Sequence, residues 1–163
     1  EDSPVKLADF GFGRIMERDD DVLSTMCGTP SFVAPEVIAR KVRVGLSEPY
    51  GRSCDIWSAG VVLYCMLSGE HPFDQDATLT KLFGQISTGA YTFRPEVWEE
   101  VSDEAVDLVR AMMTVDAHRR PTATACLAHP WCQLDRGAPG RRLTHAQSKL
   151  RDRAEALAKR KLL

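Results

Sequence analysis

Between Ser53 and Leu67 the chain is apolar at nearly every turn of a helix, with Ile56, Trp57, Ala59, Val61, Val62, Leu63, Met66 and Leu67. A helix that is hydrophobic all round cannot rest on a surface, so this stretch predicts a buried helix that other elements must surround. Ser53 is placed to cap its start, and Gly69 and Pro72 to end it. At about 15 residues it is too short to cross a bilayer, which takes about 20, and no transmembrane segment is expected.

The surrounding elements are legible as helices. Leu79, Leu82, Phe83 and Ile86 recur at i, i+3, i+4 and i+7, the spacing of an amphipathic helix over residues 78–87. Asp76 is its expected cap and Gly89 its stop. Ser102 opens the next helix, with Asp103 and Glu104 in the first turn where acids are favoured. Ala105, Leu108, Val109, Met112 and Met113 form its apolar face. Thr122 starts a shorter helix through Leu127, closed by His129-Pro130-Trp131. Pro35 suits a first helical position, so Glu36 to Ala39 predicts a helical turn, and residues 41–51 read as a loop. Near the N-terminus Val5-Lys6-Leu7-Ala8 alternates as a short strand does, and Ile15-Met16 is a second. The expected fold class is mainly α, with two short β-strands at the N-terminus.

The formal net charge is −2, which argues against general affinity for nucleic acid. It is unevenly spread. Residues 135–163 hold nine Lys and Arg against three Asp and Glu, a net of +6, so residues 1–134 carry −8. The split predicts an acidic folded body over 1–134 and a basic tail over 135–163, helical or disordered. Five cysteines, an odd number with no CxxC spacing, imply neither a disulfide framework nor a zinc site and suit a reducing, cytoplasmic (intracellular) compartment.

Two tripeptides then single out one segment. Asp9-Phe10-Gly11 opens it and Ala34-Pro35-Glu36 closes it, with Gly28-Thr29-Pro30 ahead of the second. Asp55-Ile56-Trp57-Ser58-Ala59-Gly60, Pro72-Phe73, His118-Arg119-Arg120-Pro121-Thr122 and His129-Pro130-Trp131 follow in order. With these motifs residues 5–131 resemble the protein-kinase family, the first two tripeptides being the ends of its activation segment. The stretches Val5–Phe12 and Cys27–Glu36 are most similar to the calcium/calmodulin-dependent group. Gly13, where that group usually has Ala, and the long loop of residues 40–50 depart from it. The resemblance implies most of a helical C-terminal lobe, incomplete, from a parent of α+β fold.

The resemblance also implies roles. Asp9 would hold Mg²⁺ against the phosphates of ATP, a task for a hard carboxylate, and Ala8 would line the nucleotide pocket. Phe10 and Gly11 would be structural. Thr25 would be the activation-loop phosphosite, with Ser24 its rival. Gly28, Thr29, Pro30, Ser31 and Phe32 would meet the protein substrate, and Thr29 implies a Ser/Thr acceptor. Glu36 would pair with a buried arginine, Arg120 or alternatively Arg119. Asp55 would reach the backbone of the catalytic loop. Cys65 stands where some basophilic members place an acid that grips a substrate arginine.

The family's Gly-rich loop, its strand Lys and its H-R-D-x-x-x-x-N loop are not in the sequence. The general base would lie before Glu1. The chain therefore reads as a piece of a longer Ser/Thr kinase, inactive by itself, with a pseudokinase or kinase-derived binding module as the alternative. In the tail, Leu143, Ala146, Leu150, Ala154 and Leu157 fall at helical steps among basic residues. Such a helix can be a calmodulin target, an autoinhibitory segment, a membrane-surface helix or a solvated tail without a partner. Leu150, Leu157, Lys159, Arg160 and Lys161 are its candidate contacts.

Overall fold

The computed structural model describes residues 29–42, 51–133 and 143–160, with side chains at all of these but 40–42 and 157–160. A 3₁₀ turn at Pro30–Phe32 leads into α1 (Pro35–Val42). There follow α2 (Ser53–Ser68), α3 (Leu79–Thr88), α4 (Pro95–Trp98), α5 (Asp103–Met112), α6 (Ala123–Leu127), α7 (Pro130–Gln133) and α8 (Thr144–Arg160). Among the described residues the structure is all helix and turn. The two strands expected at residues 5–8 and 15–16 lie outside them.

The apolar helix α2 is the hub. It packs on α4, α5, α8 and the 3₁₀ turn, while α3 packs on α1. Trp57, Val61, Tyr64 and Leu67 from α2 join Ile38, Ile86, Val109 and Met113 in one core. The α2–α5 approach is close, because a Cβ on Gly60 would stand 2.9 Å from both Met112 Cβ and Met113 Cγ. Phe73 stacks on Trp57 with ring centroids 6.2 Å apart. Tyr64, Tyr91, Phe93 and Trp98 make a second aromatic group whose ring centroids lie 4.6 to 6.2 Å apart. Tyr64 Oη donates to Thr92 O at 2.7 Å, so its burial leaves no orphaned hydroxyl.

Several expectations need correction. The α2 helix is not buried on all sides: Val62 is 45% and Met66 58% exposed. With exposed Asp55 and Ala59 they form a ridge at i, i+4, i+7 and i+11 that the other described residues leave open. Ser53 is the first residue of α2, not its cap; Arg52 takes the cap position, with no capping bond from its side chain. The cap of α3 is Thr78, whose hydroxyl accepts from Lys81 N–H, and not Asp76. The Asp76 N–H is held instead by Asp74 Oδ1 at 3.0 Å in the preceding turn. The α1 helix runs to Val42, so residues 41 and 42, expected in a loop, are helical. The Ser102 and Thr122 caps form as expected, bonding Ala105 and Ala125 N–H. Gly69 and Gly89 end their helices at φ +71° and +63°, in the left-handed region that favours glycine.

Candidate functional site

The strip from Thr29 to Glu36 is the described part of the segment singled out in the sequence. Asp9, Ala8, Phe10, Gly11, Ser24, Thr25 and Gly28 lie outside the described residues. Pro30 at the first position sets up the 3₁₀ turn, in which Thr29 O accepts from Phe32 N–H at 3.0 Å and Pro30 O from Val33 N–H at 3.3 Å. Thr29 is exposed and Ser31 buried. Ser58, a hydroxyl within the apolar α2, shares its proton between Phe32 O at 2.9 Å and Cys54 O at 3.1 Å, and so fastens the strip to the hub. The Phe32 ring meets His71 edge-on, with centroids 5.3 Å apart.

At the end of the strip Glu36 and Arg120 form a fork. Arg120 Nη1 donates to Glu36 Oε1 at 2.9 Å and Nη2 to Oε2 at 3.0 Å. The guanidinium also donates to the carbonyls of Ser53 (2.6 Å), Thr114 (3.0 Å) and Val115 (3.4 Å). It lies 5.3 Å from the centre of the Trp57 ring. The Arg120 side chain is sealed from water and that of Glu36 is 21% exposed. A planar group with five donors in a fixed fork is the one side chain that can satisfy this set at once. Arg120, not Arg119, is the residue that reaches Glu36. One guanidinium therefore ties α1, the start of α2 and the turn after α5.

Other candidates are placed differently. Asp55 is exposed among the described residues, with Cys54 Sγ 3.7 Å from its Oδ1. Burial, with Asp55 and Glu36 adding, pushes the Cys54 thiol up to about 12. Burial pushes Cys65 up to about 11, with nearby Arg153 pulling the other way. Both thiols are protonated at neutral pH and are poor nucleophiles. Among the described residues no cluster of three or more His, Cys, Asp or Glu could hold a metal ion. No described helix is long and apolar enough to cross a membrane.

The tail candidates come to the body through α8. Glu100 accepts from Thr144 N–H at 2.7 Å and from the Thr144 hydroxyl at 2.6 Å. Two residues on, Ala146 is 2% exposed and presses on Gly69, where a Cβ would meet Ala146 Cα at 3.0 Å and Lys149 Cβ at 2.7 Å. His145 Nε2 lies 4.0 Å from Glu70, which also pairs with Arg94. Beyond this a cleft of about 510 Å³ opens between the 69–76 turn and α8, lined by Glu70, His71, Gln75, Lys149, Asp152 and Arg153. Leu150 is 40% exposed. Leu157, Lys159 and Arg160 fall in the last turn of α8, their side chains outside the described residues, as is Lys161. Sequence reasoning missed Ser58, His71 and Glu100. Only Ser58 had a signal, a small polar residue inside an apolar helix.

Residues 1–132 match the protein kinase domain family. The calcium/calmodulin-dependent protein kinase type 1 of Macrobrachium nipponense is 41% identical over 131 residues, covering 80% of this chain and 35% of that protein. The namesake from Caenorhabditis briggsae is 40% identical over 131 residues, covering 80% and 34%. The "Probable serine/threonine-protein kinase fhkE" of Dictyostelium discoideum is 42% identical over 127 residues, covering 78% and 17%. The chain thus spans 17 to 35% of the length of these curated relatives.

Proposed function

The chain belongs to the protein kinase domain family, and on that premise we propose that it is part of a serine/threonine kinase that moves the γ-phosphoryl of ATP onto protein hydroxyls. The observation that carries this reading is the succession of motifs in the sequence from Asp9-Phe10-Gly11 to Ala34-Pro35-Glu36. Its far end is anchored by the Glu36–Arg120 fork. Bound Mg²⁺ would neutralise charge on the transferred phosphoryl. Asp9 is the residue that would hold it, and Ala8 would line the nucleotide pocket. Thr29, exposed on the strip that Ser58 fastens, would face the substrate's acceptor residue together with Gly28, Pro30, Ser31 and Phe32.

A phosphate on Thr25, or on Ser24, would order the segment. Cys54, Cys65, Cys126 and Cys132 are free thiols, which supports an intracellular site of action. The α8 helix would be the regulatory element of a calcium/calmodulin-dependent type, supported by its basic, amphipathic sequence. A peptide of residues 141–163 is expected to bind Ca²⁺-calmodulin at micromolar concentrations, and a flat titration counts against that part.

The test of the main reading is phosphate transfer from radiolabelled ATP to a serine peptide by the full-length protein. Asp9→Asn is expected to bring transfer to background. A full-length protein that transfers nothing, or an Asp9→Asn variant as fast as the parent, overturns it. The 163 residues alone hold no H-R-D-x-x-x-x-N loop and are expected to transfer nothing.

A further inference from the structure

We infer that His71 is a positioning residue for the substrate: its neutral ring holds Phe32 in place, and with it the strip that would meet the acceptor peptide. That the strip meets a substrate rests on the phosphotransfer reading; that His71 holds it does not. Phe32 is gripped from two sides. The Ser58 hydroxyl of α2 reaches its carbonyl at 2.9 Å. On the other side its ring meets the His71 ring at 87°, with centroids 5.3 Å apart.

The neutral form of His71 is built into the 69–76 turn. Its Nδ1 lies 3.2 Å from the Phe73 N–H nitrogen and 3.0 Å from Gln75 Nε2, two donors. Phe73 O, also 3.2 Å from Nδ1, already accepts from Gln75 Nε2 at 3.2 Å. Two donors facing one nitrogen assign Nδ1 as an acceptor and put the ring proton on Nε2. Nε2 is sealed from solvent, with no partner among the described residues.

Charging the ring undoes this arrangement. Nδ1 becomes a donor, so Phe73 N–H loses its acceptor, and the charge falls on a ring with one nitrogen cut off from water. Phe73 is fixed by its stack on Trp57, so the His71 ring is the part that must move, and Phe32 loses its neighbour. The charged groups around the ring are Glu70 and Asp76 of its own turn and Lys149, Asp152 and Arg153 of α8, which line one cleft with it. The strip from Thr29 to Ala34 brings none, and Cys65 of α2, also near Arg153, stays a neutral thiol. Burial chiefly, with Arg153 adding, holds His71 below its ordinary 6.5, so the ring is neutral at pH 7.5.

Two measurements test this. The first compares amide protection factors of the full chain at pH 7.5 and 5.5 for Phe32 and Val33, which donate within the 3₁₀ turn. Opening that releases His71 takes up a proton, which at one unit below 6.5 favours the open form by up to about tenfold. The parent is expected to lose about three- to tenfold in protection. His71→Asn, which keeps an acceptor near Nδ1 and does not titrate, is expected to lose none. Ala125, whose amide is held by Thr122 in α6, should stay unchanged. No fall in the parent, an equal fall in His71→Asn, or a fall shared by Ala125 overturns the grip on the strip. The second measures peptide phosphorylation by the full-length protein. His71→Ala is expected to raise KM for a serine peptide about three- to tenfold, with kcat and KM for ATP within about twofold of the parent. His71→Phe, which returns a ring against Phe32, should recover most of that loss. An unchanged peptide KM, or a loss confined to kcat, overturns the positioning role. A full-length protein that transfers nothing overturns the phosphotransfer reading alone, and the exchange measurement still decides whether His71 holds the strip.

Discussion

Arg120 shows how much one side chain can settle. It is sealed from water and makes hydrogen bonds to Glu36 and three carbonyls. Truncation strands the Glu36 carboxylate and three acceptors, so Arg120→Ala is expected to cost about 3–5 kcal/mol and to lower the melting temperature by several degrees. Calorimetry checks this, and Arg119→Ala, exposed, should leave the melt near its parent. His71 gives a pH signature. Burial chiefly, and Arg153 in addition, lower its pKa from 6.5, against a bond to Phe73 O that raises it. A group held neutral in the fold gives stability that is complete above the unfolded value, near 6.5, and lost as pH falls towards the folded value. The melting temperature should therefore drop between pH 7.5 and 5, and His71→Gln should flatten that slope.

At the scale of elements, Gly69 does two things. Its φ of +71° ends α2, and its missing side chain admits Ala146 of α8. Gly69→Ala is expected to destabilise by about 1–2 kcal/mol through the backbone alone and to push α8 off as well. Denaturant melts measure the first, and faster hydrogen exchange in the 69–73 turn the second. Helices with their own period or cap were readable in the chain: α5 and α6 begin where Ser102 and Thr122 cap them. The short α4 was not, because four residues beginning at Pro95 carry no period. The α2 helix was read as buried all round because composition states how apolar a helix is, not which neighbours cover it. Glu36 and Arg120 were readable as a pair only through the motifs that contain them, since 84 residues separate them. Glu100 had no such motif, and its link to Thr144 depends on where α8 docks.

For the whole molecule, the charge split becomes a packing question. A tail of net +6 follows a body of net −8, yet the contacts that seat α8 are hydrogen bonds to Glu100 and the Gly69–Ala146 fit. Salt screens exposed charges but leaves such contacts nearly intact. Protection of the 69–73 turn is thus expected to change less than about threefold between 0.05 and 0.5 M NaCl. A large loss would show that long-range attraction seats the helix.

The surroundings of Trp57 turn the anchor into a light signal. This indole lies under Phe73 on one side and near the Arg120 guanidinium on another, with no exposed surface and no hydrogen-bond partner for Nε1 among the described residues. An indole shut away from water fluoresces at shorter wavelength than a hydrated one. The red shift of Trp57 on unfolding, read in a Trp98→Phe, Trp131→Phe background, would therefore time the opening of the ring that Arg120 closes, without any added label.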